Sequence, residues 1–121
     1  MRLFALRGAI TVEVNESAAI LDATGQLMRE IMDRNELEPA KVVSCIFTLT
    51  GDLDAEFPAV AARGLGFGQV PLLCAQEIPV PGALPMVIRV LIHYYAPEDH
   101  AARHVYLGAA SALRADLESA Q

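Results

Sequence analysis

The stretch Val87-Ile88-Arg89-Val90-Leu91-Ile92 decides how this chain folds, because such an apolar run of branched residues predicts a buried strand. One arginine stands inside it, and burying an unpaired guanidinium costs many kcal/mol. Side chains alternate along a strand, so Arg89 shares a face with Val87, Leu91 and His93. The fold must therefore supply a carboxylate partner for Arg89 or a pocket in which an anionic ligand completes the pairing.

A second arginine repeats the pattern near the start of the chain. Arg7 lies within the strand-like run 3–10, and Gly8 after it allows a close approach by another backbone or a ligand. A carboxylate, Glu77, is likewise enclosed by the apolar residues of 72–78. Glu77 and Arg89 can pair with each other as a structural ion pair, or both can address one ligand, and both alternatives stay open. Two arginines in such runs predict a pocket for a polyanion.

The composition limits what the chain can be. Its 121 residues predict a single domain over 1–121, with 54% hydrophobic and only 20% charged residues. This is more apolar than a small monomer usually requires, so we expect some apolar surface to face other subunits. The net charge of −6 and a single lysine, Lys41, argue against a nucleic-acid surface. No segment predicts a signal peptide or a membrane partner.

The cysteines and histidines give little support to a metal site or a nucleophile. Cys45 and Cys74 form no CxxC or Cys/His cluster, which favours free thiols and a cytoplasmic location over a disulfide or a zinc site. His100 and His104 are spaced i, i+4, but a third metal ligand is missing. Cys74 is typical of a small buried hydrophobe, since no histidine at a fixed spacing supports a Cys/His pair. We expect no metal and no organic cofactor.

The elements follow from periodicity and turn signals. We predict a strand over 2–13, then one long amphipathic helix capped by Asn15 or Ser17. Further elements are a strand Val42–Thr50, a short helix Ala59–Arg63 after Pro58, a strand Val70–Cys74, a loop, a strand over 86–95, and short pieces in the tail from residue 100. This order predicts an α+β fold in which the long helix packs on one face of a mixed sheet.

Several short motifs in the right order resemble a known family. They are Leu6-Arg7-Gly8-Ala9-Ile10, Asp52-Leu53 with Phe57-Pro58-Ala59 and Arg63, Val70-Pro71 with Cys74 and Gln76-Glu77, Ile88-Arg89-Val90, Arg103-His104-Val105-Tyr106-Leu107, and Leu113-Arg114 before Asp116-Leu117. Together they resemble the monofunctional, AroH-class chorismate mutases of the Bacillus type, over residues 2 to 118. The resemblance implies a homotrimeric pseudo-barrel with active sites at subunit interfaces. It also implies an enzyme of aromatic amino-acid biosynthesis that converts chorismate to prephenate in the shikimate pathway.

The resemblance also assigns roles to residues of this chain. It implies that Arg89 donates to the ether oxygen of chorismate and to its side-chain carboxylate, and that Arg7 and Tyr106 also hold that carboxylate. Glu77 and Cys74 would address the ring hydroxyl. The remaining substrate-binding residues that it implies are Phe57, Ala59 and Arg63 from the neighbouring subunit, Leu72 and Leu73 beside Cys74, and Leu113 and Arg114 as a cover from the tail.

Three positions depart from the family pattern. Val60 stands where members often have lysine, which removes a charge near the pocket mouth, and Leu73 stands where some have threonine. Ala115 replaces a common proline, which predicts a looser cover. The competing hypothesis is a trimeric small-molecule-binding or imine-deaminase-like protein of similar fold. The combination of Arg7, Glu77 and Arg89 favours the mutase.

Overall fold

The computed structural model describes residues 1–113, whose strands all belong to one five-stranded sheet. The strands are β1 (Arg2–Thr11), β2 (Val42–Leu49), β3 (Leu72–Gln76), β4 (Val87–Ala96) and β5 (Val105–Leu107). The helices are α1 (Ser17–Asn35) and the short α2 (Ala59–Ala62), with 3-10 turns at Pro39–Lys41 and Gly108–Ala112. An irregular helical turn, Arg63–Phe67, continues α2, and Gly66 inside it has a positive φ of 101°.

The apolar run around Arg89 becomes the central strand of this sheet. The strand order is β3-β2-β4-β1-β5, and β4 pairs antiparallel with both β1 and β2. The outer strands pair parallel, β3 with β2 and β5 with β1, so the sheet is mixed as expected. A strand that pairs on both sides lies in the interior of the sheet, which agrees with the mostly apolar sequence of β4.

Helix α1 covers one face of the sheet. Its buried residues recur at helical spacing, and they meet alternate residues of the strands. The side chains at the centre of this contact are Ile20, Leu27, Met28 and Ile31 from the helix and Leu6, Ile10, Phe47, Ile88 and Ile92 from the sheet. A Cβ at Gly8 would lie 2.7 Å from Cδ1 of Ile31, so glycine lets the helix approach β1 closely. The predicted packing of a long amphipathic helix on one sheet face is confirmed.

The opposite face of the sheet, which we term the open face, carries the alternate residues. Neither helix covers it, and Leu3, Leu73 and Tyr95 are 50%, 60% and 46% exposed there. Arg7 and Arg89 also belong to the open face, because the register places Ala9 opposite Arg89 and Arg7 opposite Leu91. The two arginines are therefore diagonal neighbours on adjacent strands rather than residues of the core.

The caps predicted for α1 are wrong. The N-cap residue is Glu16, and no side chain caps the helix. Asn15 instead bonds to the loop around Asp54, and the Ser17 hydroxyl donates to Glu56 at 3.0 Å. These polar side chains therefore tie the start of the helix to a distant loop rather than to its own first turn.

The strand boundaries also differ from the prediction, since β1 ends at Thr11 rather than at residue 13 and β2 ends at Leu49 rather than at Thr50. β3 lies two residues later than expected, because the Val70 amide closes a turn onto the Phe67 carbonyl and Pro71 has no N–H. β4 starts at Val87 because Met86 has a positive φ of 58°. β5 was predicted only as an unassigned piece of the tail. Among the described residues, no helix is long and apolar enough to cross a membrane.

Candidate active site

The open face holds a cavity of about 510 Å³, which we term the arginine pocket. Its lining includes Arg7 from β1, Thr48 from β2, Arg89 from β4 and Tyr106 from β5. Four adjacent strands thus contribute one polar side chain each, and strand alternation directs all four to the same side. The sequence could show each alternation but not the pairing register that brings them together.

Arg89 and Glu77 form an ion pair at the edge of this pocket. The Arg89 Nε lies 3.1 Å and 2.9 Å from the two carboxylate oxygens of Glu77. The Thr48 hydroxyl donates to Glu77 Oε2 at 2.7 Å, and the Glu77 amide bonds to the Leu49 carbonyl. Both side chains are partly buried, with 35% and 17% exposure. Only Nε is used, so the two terminal nitrogens of Arg89 have no hydrogen-bond partner within residues 1–113.

Glu77 and Arg89 can therefore form a structural ion pair and still leave Arg89 donors available to a ligand. The carboxylate holds the guanidinium through Nε, and the terminal nitrogens of the planar fork make no hydrogen bond to it. A preorganised donor of this kind is suited to stabilise a developing negative charge.

Arg7 and Tyr106 complete the polar lining. Arg7 is exposed and has no ion pair among the described residues. The Tyr106 hydroxyl is buried and has no hydrogen-bond partner within residues 1–113. Burial raises the pKa of Tyr106, and the charges of Arg7 and Arg89 offset this in part, so the phenol is neutral and can donate. Native structures rarely leave a buried hydroxyl unpaired, and one beside two cations suits an anionic oxygen ligand.

A second cavity of about 460 Å³ lies on the other side of β3, and we term it the Phe57 pocket. Phe57 is 66% exposed there and Cys74 is half-buried. Asn15 holds the adjoining loop: its amide donates to Asp54 at 2.7 Å, and its oxygen accepts from the amides of Asp54 and Ala55 at 3.1 Å each.

Glu56 reinforces the same loop. Its carboxylate accepts from the Phe57 amide at 2.8 Å and from the Ser17 hydroxyl, and these two bonds lower the pKa of Glu56. The loop that presents Phe57 is thus fixed to the start of α1 from two sides.

Cys74 lines the Phe57 pocket, and Glu77 lines neither the Phe57 pocket nor the arginine pocket in the part of the chain that the structure describes. Cys74 lies in the Phe57 pocket, whereas Glu77 follows the end of β3 and turns toward Thr48 and Arg89. The expectation that both address one hydroxyl stays a prediction. The Cys45 thiol is buried in the core, where desolvation raises its pKa to about 12, so it is not a nucleophile.

The other site residues named from the sequence lie as follows. Ala59 is buried in α2, and Arg63 is exposed at its end. Leu72 is half-buried, Leu73 is exposed on the open face, and Leu113 packs beside Ala9, Val87 and Ala110. Val60, where the family often has lysine, is 38% exposed. Arg114 and Ala115 lie outside the described residues.

The sequence predicted no role at these pockets for three polar residues, namely Thr48, Asn15 and His104. Thr48 stands opposite Arg89, a position that only the β2–β4 register defines. His104 accepts a hydrogen bond from the Arg7 amide at 3.0 Å, whereas His100 bonds to the Tyr94 hydroxyl at 2.7 Å. Their spacing resembled a metal motif, but the two rings serve different neighbours. No group of three or more metal-binding side chains occurs in the described part of the chain.

Comparisons with known proteins identify the family of this chain. The family described as chorismate mutase type I matches residues 3–117. A chorismate mutase AroH from Thermus thermophilus is 50% identical over 119 residues, which cover 96% of this chain and 97% of the relative. The AroH chorismate mutase of Bacillus subtilis (strain 168) is 42% identical over 120 residues, covering 97% and 94%.

A solved structure has the same fold. A chorismate mutase from Clostridium thermocellum superposes with a TM-score of 0.88 at 44% sequence identity, and the match covers 91% of this chain and 99% of the other. Similarity over nearly the whole length includes both the strands that carry the arginine pocket and the loop that carries Phe57. These relatives favour the mutase over an imine-deaminase-like or simple binding protein.

Proposed function

Because this chain belongs to the type I chorismate mutases, we propose that it converts chorismate to prephenate in the biosynthesis of phenylalanine and tyrosine. The reaction is an intramolecular Claisen rearrangement. An ether C–O bond breaks and a C–C bond forms within one cyclic movement of electrons, so no proton is transferred and no covalent intermediate arises. The enzyme has to hold the compact conformer and stabilise the charge that separates in the transition state.

The observation that carries this proposal is the unsatisfied donor set of the arginine pocket. The terminal nitrogens of Arg89 and the Tyr106 hydroxyl lack partners among the described residues, and Arg7 lies beside them. Chorismate carries two carboxylates and an ether oxygen, which are acceptors of the kind these donors need. We assign Arg89 to the ether oxygen, where negative charge grows, and Arg7 with Tyr106 to the adjacent carboxylate.

Glu77 has two roles in this account. Its carboxylate orients Arg89 through Nε, and its negative charge favours the positive character that develops on the substrate ring. Thr48 holds Oε2 of Glu77, so the carboxylate is itself preorganised. This chemistry needs no metal and no organic cofactor.

We further propose that the active protein is a homotrimer whose sites lie between subunits. Two observations support this. The open face exposes Leu3, Leu73 and Tyr95, and such apolar surface is typical of an interface. In addition, the residues that the family pattern assigns to one site are divided between two pockets in a single chain. We therefore assign Phe57, Ala59, Arg63 and Cys74 to the half that a neighbouring chain contributes, with Leu72 and Leu73 beside them.

The tail would then cover the assembled site. Leu113 is the last described residue, and it packs with Tyr106 against the cluster of Ala9, Val87 and Ala110. Arg114 follows it in the sequence. Two free cysteines suit a reducing compartment, so we place the enzyme in the cytoplasm.

The test is an assay of chorismate disappearance with purified protein, with and without a chelator. Depletion of chorismate well above the uncatalysed rate, unchanged by the chelator, is the expected result. An Arg89→Ala protein prepared in parallel controls for contaminating mutase from the expression host. Folded wild-type protein that depletes chorismate no faster than buffer would overturn the assignment.

A further inference from the structure

The first strand and the last described strand are joined by an unusual bond beside the arginine pocket. The backbone N–H of Arg7 donates to Nδ1 of His104 at 3.0 Å. Regular pairing of β1 with β5 begins one residue later, where Gly8 stands opposite Val105. The acceptor for Arg7 is thus a side-chain nitrogen, and it extends the β1–β5 contact by one residue. Acceptance requires a lone pair on Nδ1, so the ring is bound through its unprotonated nitrogen.

This bond involves the same residue that supplies a guanidinium to the pocket. Arg7 is exposed and has no ion pair in the described chain. The position of its guanidinium therefore depends on where the backbone of β1 places the residue. On the other strand, Tyr106 lies two residues after His104 and next to Ala9. This hydrogen bond adds to the three paired positions of β1 and β5 in fixing the separation between the Arg7 backbone and the segment that carries the Tyr106 hydroxyl.

We propose that His104 is a positioning residue for the mutase reaction, acting through Arg7; this role rests on the proposed function. β5 has only three residues and lies at the edge of the sheet, so few backbone bonds hold it. Loss of the His104 acceptor frees the Arg7 amide and loosens the β1–β5 contact at the level of the pocket. Small displacements of a group that binds the transition state reduce the rate strongly.

Asparagine and leucine give a matched pair of substitutions. In His104→Asn the side-chain oxygen is attached to Cγ, as Nδ1 is in histidine, so the acceptor is kept. Leucine has the shape of asparagine but no hydrogen-bond acceptor, so His104→Leu removes the acceptor. We expect kcat/KM for chorismate to fall about tenfold in the leucine variant and to stay within about twofold of wild type in the asparagine variant.

Thermal unfolding separates this role from a merely structural one. The Arg7–His104 bond is exposed, and water can satisfy the freed amide, so melting temperatures of the two variants should agree within about 2 °C. A structural role would lower the melting temperature of His104→Leu while leaving kcat/KM per folded enzyme unchanged, and that result would overturn the proposal.

A double-mutant cycle identifies the residue through which His104 acts. In an Arg7→Ala background, adding His104→Leu should cost no more than about twofold in kcat/KM, because the group being positioned is already absent. A full tenfold loss in that background would overturn the proposal, as would equal impairment of the asparagine and leucine variants. Wild-type protein without mutase activity would instead overturn the proposed function, and this role with it.

Discussion

The arginine pocket and the Phe57 pocket are built in opposite ways. The first lies on the sheet, and its polar side chains come from four adjacent strands. At its edge, Arg89 Nε bonds to both carboxylate oxygens of Glu77. The second lies against a loop, and its most prominent side chain, Phe57, is apolar and 66% exposed. Strand backbones hold donors in place within fractions of an ångström, whereas a loop relies on local side-chain bonds such as those of Asn15.

This difference indicates a division of labour. Charge stabilisation depends on fixed distances, so it belongs on the rigid sheet. Closure of the site requires shape and exclusion of water, which an exposed aromatic ring on a loop can supply to a neighbouring chain. Changes in the arginine pocket should therefore lower turnover most, and changes around the Phe57 pocket should weaken substrate binding more mildly.

Arg89→Ala should give the largest effect. Removing a preorganised donor to a developing oxyanion typically costs on the order of 10²-fold or more in kcat. Arg89→Lys should also be poor, because an ammonium cannot bond Glu77 and present two further donors in one plane. Steady-state kinetics on both variants test this, with circular dichroism as the control for folding. A lysine variant within about threefold of wild type would refute the fork geometry.

Tyr106→Phe should separate activity from stability. The hydroxyl has no partner in the described chain, so its removal should leave the melting temperature unchanged or slightly higher. A hydrogen bond to a charged group contributes enough that kcat/KM should fall roughly tenfold. Tyr95→Phe, which removes an exposed hydroxyl from the open face, is the matched control. Unchanged kcat/KM in Tyr106→Phe would show that the hydroxyl does not contact substrate.

Asn15→Leu tests the loop side of the comparison. The substitution removes three hydrogen bonds from the loop that presents Phe57, so we expect about a fivefold lower kcat/KM, mainly through KM. Gln26→Leu likewise replaces a side-chain amide with an apolar group, at an exposed position of α1 that makes no hydrogen bond to the loop, and should have no effect. If the two variants behave alike, the loop needs no clamp at Asn15.

The sequence predicted the parts of this molecule that depend on local pattern. Alternation around Arg89 placed its side chain correctly on one face, and the helical spacing of apolar residues located α1. The diagonal placement of Arg7 and Arg89 on adjacent strands could not be derived, because it depends on the register between β1 and β4. The caps failed for a related reason: Asn15 and Ser17 bond to residues about 40 positions away.

The two arginines are less buried in the structure than their apolar strands predicted. An apolar strand suggested a core position, yet Arg89 is 35% exposed and Arg7 is exposed in the chain. Their strands are apolar because one face packs on α1 and because Ala9 and Val87 of the open face pack against Ala110. Single-strand periodicity does not distinguish a core face from an interface.

The pH dependence should show the smallest effect. No proton moves in the chemistry, so kcat should vary by less than about twofold between roughly pH 6.5 and 9.5. Burial raises the pKa of Tyr106, so its phenol keeps the proton in the folded state at pH values where the unfolded chain begins to lose it, above about 10. Stability should therefore decrease as pH rises past that value. A bell-shaped kcat profile centred near neutrality would point to acid–base catalysis instead.

Subunit mixing tests most directly whether one site combines the arginine pocket of one chain with the Phe57 pocket of the next. In the proposed trimer, Arg89→Ala impairs the arginine half of every site, and a protein with Phe57→Ala and Arg63→Ala together carries an impaired Phe57 half at every site, so each protein alone should have low activity at a low chorismate concentration. When equal amounts are unfolded and refolded together, about a quarter of the sites in random trimers should combine two intact halves. The account predicts recovery of about that fraction of wild-type activity, with mixed trimers verified by mass. Mixed trimers no more active than the average of their parents would contradict it.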